Sequence, residues 1–304
     1  MKTTGLARVY TVDFEARHDI NRRIKSIVEL GRSATAEAQS GLVKALRDKD
    51  KNVRYEAVKA IGYLGSSAIP EAQLGLVKAL RDEDRIVRKT AASAIGKLGS
   101  SFTAEAQLGL VKALRDKDIY VYYEAVKAIG YLGSSAIPEA QSGLVKALRD
   151  EDKYVRWFAA SAIEDLGSSA TAEAQLGLVK ALRDEDKDVR QAAASAIGKL
   201  RSSAIPEAQS GLVKALKDED GTVRWFAASA IEDLGSSATA QAQSGLLKAL
   251  RDEDKYVRQE AASAIGYLGS SATAEAQSGL VETLEDEDRT VRYEAASAIG
   301  KLSS

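Results

Sequence analysis

The apolar residues of the chain fall into two alternating amphipathic stretches. The first, whose commonest residue at each position gives AEAQSGLVKALR, places them at i, i+4, i+7 and i+8, one face of an α-helix. The second repeats that spacing with Val, Ala, Ala, Ile and Leu, as at Val257, Ala261, Ala264, Ile265 and Leu268. Together they predict a helical hairpin, helix A followed by helix B. Pro70, Pro138 and Pro206 suit the first turn of helix A, where no backbone donor is needed. The second Asp of the intervening D-x-D loop can N-cap helix B, and the closing glycine suits a left-handed C-cap.

The hairpin recurs. A glycine in the context SGL or LGL stands at Gly41, Gly75, Gly109, Gly143, Gly177, Gly211, Gly245 and Gly279, every step being 34 residues. With that glycine at position 10, eight units span 32–65, 66–99, 100–133, 134–167, 168–201, 202–235, 236–269 and 270–303. One such hairpin cannot bury both apolar faces, so neighbours must stack. Residues 1–31 are expected to form an N-terminal capping segment, in which DINRRIKSIVELG (19–31) aligns with a helix B whose outer face has become charged. At the other end Glu282, Thr283 and Glu285 give a weaker cap-like signal. The period alone would suit a tetratricopeptide array, but its Trp, Leu-Gly, Tyr and Pro landmarks do not occur at the required offsets.

The string D-x-D-x-x-V-R-x-x-A-A-x-A-I-G-x-L-G, as from Asp252 to Gly269, resembles the HEAT-like helical repeat family. The resemblance implies an all-α, right-handed α-solenoid whose B helices line a concave surface. It also implies a ladder between repeats using Asp50 and Arg54, Asp84 and Arg88, Asp152 and Arg156, and so on, with one rung altered at Tyr122. The pattern of variation is similar to that of artificial HEAT-like arrays. Unit length, helix A and the N-terminus differ from those, so the expectation is a natural array, the sensing arm of a larger bacterial protein. Family members include bilin lyases and DNA glycosylases with acidic and aromatic residues on the concave surface; by that analogy Trp157 with Asp165 is the alternative, enzymatic reading.

Differences between the copies are concentrated at positions 20, 21, 24, 25, 28, 31 and 32, an arc of helix B opposite its apolar face. Both Trp and ten of the eleven Tyr lie in helix B. Aromatic residues at helical spacing are ordinarily core, but here the core face is already filled. A solvent-exposed, aromatic-rich partner-binding face is therefore expected. Its candidates are Tyr55, Tyr63, Lys89 and Lys97; Tyr120, Tyr123 and Tyr131; Tyr154, Trp157, Phe158 and Asp165; Gln191; Trp225, Phe226 and Asp233; Tyr256 and Tyr267; and Tyr293.

Composition narrows the function. With 43 basic and 44 acidic residues the formal charge is -1, and the basic residues of the varied face are interrupted by Glu164, Asp165, Glu232 and Asp233, which argues against a nucleic-acid groove. There is no cysteine, no apolar run that would make a secretory signal in the first residues, and no membrane-length apolar stretch, so a cytoplasmic protein is expected. The single histidine, His18, precludes His-based triads and zinc pairs, and Gly96-Lys97 lacks the glycine spacing of a phosphate loop. No cofactor and no catalysis are expected. The partner is expected to be a protein or peptide, with end-to-end self-association as a further option.

Overall fold

A computed structural model describes residues 19–99 and 103–302, which are helical apart from loops, turns and 3-10 segments. His18 and Tyr10 lie outside the described residues. The chain divides into two compact units, Met1–Ala140 and Gln141–Ser304.

The N-terminal unit begins with helix α1 (residues 19–31) and continues with the hairpins α2 (Ala36–Ala45) and α3 (Lys51–Leu64), α4 (Pro70–Ala79) and α5 (Arg85–Gly96), and α6 (Ala104–Ala113) and α7 (Ile119–Gly130). Helix α8 (Pro138–Ala147) contains the division. The C-terminal unit continues with α9 (Lys153–Leu166), α10 (Ala172–Ala181), α11 (Lys187–Gly198), α12 (Pro206–Ala215), α13 (Gly221–Leu234), α14 (Ala240–Ala249), α15 (Lys255–Tyr267), α16 (Ala274–Thr283) and α17 (Arg289–Leu302). Within each unit the even-numbered A helices stack on one another and the odd-numbered B helices do likewise. The core is the shared layer between them, including Leu76, Val87, Ala91 and Ile95 in one unit and Leu212, Val223, Ala227 and Ile231 in the other.

Local chemistry explains the boundaries. Thr35, Thr171 and Thr239 accept from the backbone amide three residues on and cap helices A, while Pro70 and Pro206 fill the first turn where no such cap exists. The second Asp of each loop caps helix B: Asp84 accepts from the amides of Ile86 and Val87, and Asp220 from Thr222 and Val223. Six of the hairpins close on a glycine with φ near +50 to +60°, and Arg201 holds the same left-handed conformation with φ +52°.

The ladder is built differently from the expectation. The capping Asp is occupied by helix amides, so the guanidinium of helix B is received instead by the first Asp of the next loop. Arg54 Nε and Nη2 lie 2.7 and 2.9 Å from the two carboxylate oxygens of Asp82, and Arg88 makes the same fork on Asp116. In the C-terminal unit Arg156, Arg224 and Arg258 pair likewise with Asp184, Asp252 and Asp286; Arg190 reaches Asp218 through Nη2 alone, at 2.9 Å. Each Nη1 also donates to the carbonyls of its own loop, as Arg224 does to Asp218 and Glu219. Hydrogen bonding to Asp252 raises the pKa of Arg224 although burial opposes it. Arg23 in α1 makes the first rung, on Asp48. In the third repeat Tyr122 takes the arginine position and is buried.

A second polar clamp joins the other end of the hairpins. The buried Gln209 donates from Nε2 to Ser237 O at 3.1 Å and accepts from Thr239 N at 2.8 Å, and Gln39 does the same with Ser67 O and Ile69 N. Glycines then set the spacing. A methyl group at Gly211 would meet Leu182 Cδ1 at 2.9 Å, so the position-10 glycine does admit a neighbouring A helix. Gly266, inside helix B, lies so close to Ala298 that a methyl group would fall 2.8 Å from its Cα and Cβ. Gly31 meets Ala60 in the same way, so it matches this inner glycine of helix B rather than the closing one.

Two stability outcomes follow. Gly266→Ala should lower the urea midpoint, corresponding to about 1–3 kcal/mol of overpacking. Gly300→Ala, at the equivalent position with nothing nearby, should raise it by up to about 1 kcal/mol through helix propensity; equal effects would deny that stacking fixes this glycine. Arg201→Gly should stabilise by about 1 kcal/mol by relieving the left-handed arginine, and a lower midpoint would mean the arginine side chain makes a compensating contact.

Candidate functional site

Because the apolar face of each B helix packs inward, the opposite face carries the candidate residues. In the N-terminal unit Tyr63, Tyr120 and Tyr131 are exposed, while Tyr55, Lys89 and Tyr123 are half-buried in the seams between B helices. Lysines stand over the rings: Lys97 lies 5.2 Å from the centroid of Tyr63, Lys89 5.5 Å from Tyr120 and Lys127 5.6 Å from Tyr131. Tyr120 also meets Tyr123 edge-on. The four candidates Tyr63 with Lys97 and Lys89 with Tyr120 are thus brought together across neighbouring repeats.

In the C-terminal unit Tyr154, Trp157, Tyr256, Tyr267 and Tyr293 are exposed, and Phe158, Gln191, Trp225, Phe226 and Asp233 are half-buried. Trp157 packs edge-on against Phe158, with centroids 4.7 Å apart, and Trp225 against Phe226 at 5.0 Å. The expectation of a wholly exposed face is therefore met only in part: Phe158, Trp225 and Phe226, at positions 24 and 25, are half-buried. Tyr154 and Tyr256 stand in the first turn of their helices, towards the loop edge, each with a lysine over its ring. Trp157 and the exposed Asp165 are eight residues apart on one helix, about 12 Å of rise, which separates them as chemical partners.

The largest upward shift of a carboxylate lies where the sequence pattern singles out only Trp225 and Asp233 as candidates. Glu260 on α15 is pushed up to about 7: burial is the largest cause, the charges of Glu232 and Glu294 add to it, and hydrogen bonds from Ser229 and Trp225 oppose it. Glu232 on α13 is also raised, by burial first, against a hydrogen bond with Ser263 and the charge of Lys301. Glu164 accepts from Ser195 Oγ at 2.8 Å in the equivalent place. Lys199 Nζ lies 2.8 Å from Asp233 Oδ2, and Lys301 lies 4.0 Å from the centroid of Tyr267. Position 31, where Glu232 and Glu164 replace glycine, is the signal that finds these carboxylates in the sequence.

Elsewhere the surface is bland chemically. A depression of about 780 Å³ in the C-terminal unit lies along the A helices beside Arg190, Lys214 and Glu219, away from the aromatic face. Among the described residues no three His, Cys, Asp or Glu side chains converge to hold a metal ion, and no helix is long and apolar enough to cross a membrane.

Stacked hairpins with an arginine–aspartate ladder and a variable B face define a helical-repeat protein. The family model for HEAT repeats matches residues 39–108, 107–176, 175–242 and 244–304, and the chain belongs to that family. Among solved structures, a crystal structure of an engineered protein from the Northeast Structural Genomics Consortium is similar, with 28% identity and a TM-score of 0.51 over 92% of this chain and 80% of that one. A chain in the structure of Kap95p with RanGDP is similar in fold, with 16% identity and a TM-score of 0.60; the match covers 91% of this chain but 42% of that one. No curated protein matches the chain.

The Glu260 environment has a sign that stability can read. Its folded pKa lies above the ordinary glutamate value of 4.5, so between about 4.5 and 7 the folded state holds the proton more tightly than the unfolded chain does. Its contribution is favourable below that window and is lost as pH rises through it. Glu260→Gln should therefore be more stable than the native chain at pH 8, by roughly 1–3 kcal/mol, and indistinguishable from it at pH 4; urea midpoints that run parallel across this range would show that Glu260 is well solvated.

Proposed function

We propose that the chain is a non-catalytic scaffold that holds a protein partner through the B-helix face. The observation that carries this reading is the segregation of aromatic residues: the inward face of each B helix is filled by Val, Ala, Ile and Leu, yet Tyr and Trp accumulate on the outward one, where no fold requirement places them. Large, rigid side chains of this kind bury much area at low ordering cost and dominate interfaces. Tyr154 is 58% and Tyr256 61% exposed, surface that a free monomer gains nothing by presenting. Protein binding also accords with the fold: the chain of similar fold belongs to a structure of Kap95p bound to RanGDP.

The decisive experiment is affinity capture from a source-organism lysate, comparing the native chain with a variant carrying Ala at Tyr123, Tyr154, Trp157 and Trp225, both checked for equal helicity. A partner held by the native chain should be weakened at least about a hundredfold in the variant, since hot-spot aromatics contribute about 2 kcal/mol or more each. Equal capture by both chains would remove the B face from the interaction.

A further inference from the structure

Resting on that reading, we propose that the B face of the C-terminal unit is fitted to an arginine-bearing, extended segment of the partner protein. Of its varied positions, 24, 25, 28, 31 and 32 carry six carboxylates, Glu164, Asp165, Glu232, Asp233, Glu260 and Glu294, against two lysines, Lys199 and Lys301, while the lysines of position 20 at the loop edge, Lys153, Lys187 and Lys255, are paired with Asp186, Asp220 and Asp288 of the next loops. Both lysines are engaged within the face, Lys199 on Asp233 and Lys301 between Glu294, at 3.9 Å, and the ring of Tyr267. The same positions of the N-terminal unit have the opposite balance, Glu56 and Glu124 against Lys59, Lys89, Lys97 and Lys127. Surface solubility does not require such a reversal between copies of one repeat.

The arrangement around α13 indicates what kind of cation fits. Glu260 is tied to Trp225 and Ser229, and Glu232 to Ser263, so the carboxylates are held in place beside an indole ring. Glu232 Oε2 is buried without a hydrogen-bond donor among the described residues. Buried anionic oxygen is costly unless paired. A guanidinium supplies both missing elements at once, a planar fork for carboxylates and a flat cation for the indole, which an ammonium does less well. Nucleic acid is disfavoured by the sign of the charge.

The Trp-Phe and Glu-Asp set occurs on α9 and again on α13, two repeats on. At the usual helix spacing that is about 16–20 Å, the reach of about six residues of extended chain. Two arginines so separated could occupy both sets. Binding would also be linked to pH. The groups facing Glu260 are Trp225, Ser229 and Glu232 from α13, with Glu294 from α17, and a bound cation favours the ionised form.

The test uses the intact chain, whose only two tryptophans, Trp157 and Trp225, both lie on this face and report on it by fluorescence. The probe is a Gly-Ser peptide carrying two arginines about six residues apart, with a glutamate version as control. The expected result is a saturable fluorescence change with the arginine peptide only, weakened about tenfold or more in E232Q/E260Q/E294Q. The variant E173Q/E207Q/E275Q, which removes the same charge from exposed first turns of helices A, should change affinity by less than about twofold. Affinity should rise from pH 6 to pH 8, and E260Q should flatten that rise. Equal weakening by the two triple variants, binding of the glutamate peptide, or no saturable change each overturn the proposal. So does concentration-dependent association of the chain itself that E232Q/E260Q/E294Q abolishes, since the occupant is then a second copy. The parent reading is judged separately: a captured partner lost on the aromatic variant but retained by E232Q/E260Q/E294Q leaves the B face as the binding surface and removes only its preference for cations.

Discussion

The guanidinium that α3, α5, α9, α11, α13 and α15 each send into the next loop is the interaction on which the stack depends. A buried ion pair ordinarily returns little, because desolvation consumes its Coulomb energy. Here the donors are nearly all engaged: Arg54 forks onto Asp82, reaches Glu83 with Nη2, and turns Nη1 onto the carbonyls of Asp48 and Lys49. The same loop aspartate also receives the amide of the capping residue, as Asp82 Oδ1 does from Asp84 N, so one carboxylate orders a loop, starts a helix and locks the preceding repeat. Removing one arginine would leave this carboxylate buried and unpaired, a loss of about 3–5 kcal/mol. The glutamine clamp performs a similar service for the linkers, satisfying one carbonyl and one amide that the 3-10 turn leaves open.

With most hairpins held at both ends by polar clamps, and the interior filled by Val, Ala, Ile and Leu, the outward face of helix B carries little of the structural load. That is the physical reason copies of this repeat can differ most there without disturbing the stack. It also connects packing to recognition: the face is presented on helices whose register is fixed by loop contacts, so its side chains are ordered before any partner arrives.

Most of this was legible in the sequence because repetition makes an internal comparison possible. Eight copies reveal the helices, the capping aspartates and the left-handed glycines directly. The ladder was legible in its residue types but not in its pairing. Both aspartates of D-x-D are invariant, and only the geometry shows that one is spent on helix amides while the other faces the arginine. Gln209 and its equivalents were hidden for the opposite reason: a polar residue inside an apolar stretch is conspicuous only once the linker it satisfies is placed beside it. On the candidate face, the aromatic residues were found by their exclusion from the core. Glu260 and Glu294 were not, since their significance comes from Glu232 across the seam, three residues that no single-helix pattern brings together.

The inner glycine of helix B shows how function and packing meet at one position. Where it is glycine, as at Gly62, Gly198 and Gly266, the next B helix comes within contact distance of its backbone. In repeats four and six the same position is Glu164 and Glu232, whose carboxylates instead occupy the seam and bond to Ser195 and Ser263 of the following helix. A close, apolar contact has thus been replaced by a partly buried anion, which the stack tolerates because its clamps lie elsewhere. Neither packing nor solubility gains from that exchange. A carboxylate in place of a packing glycine, beside a tryptophan and on the face proposed to hold a partner, is what that proposal expects of a position where binding rather than folding determines the side chain.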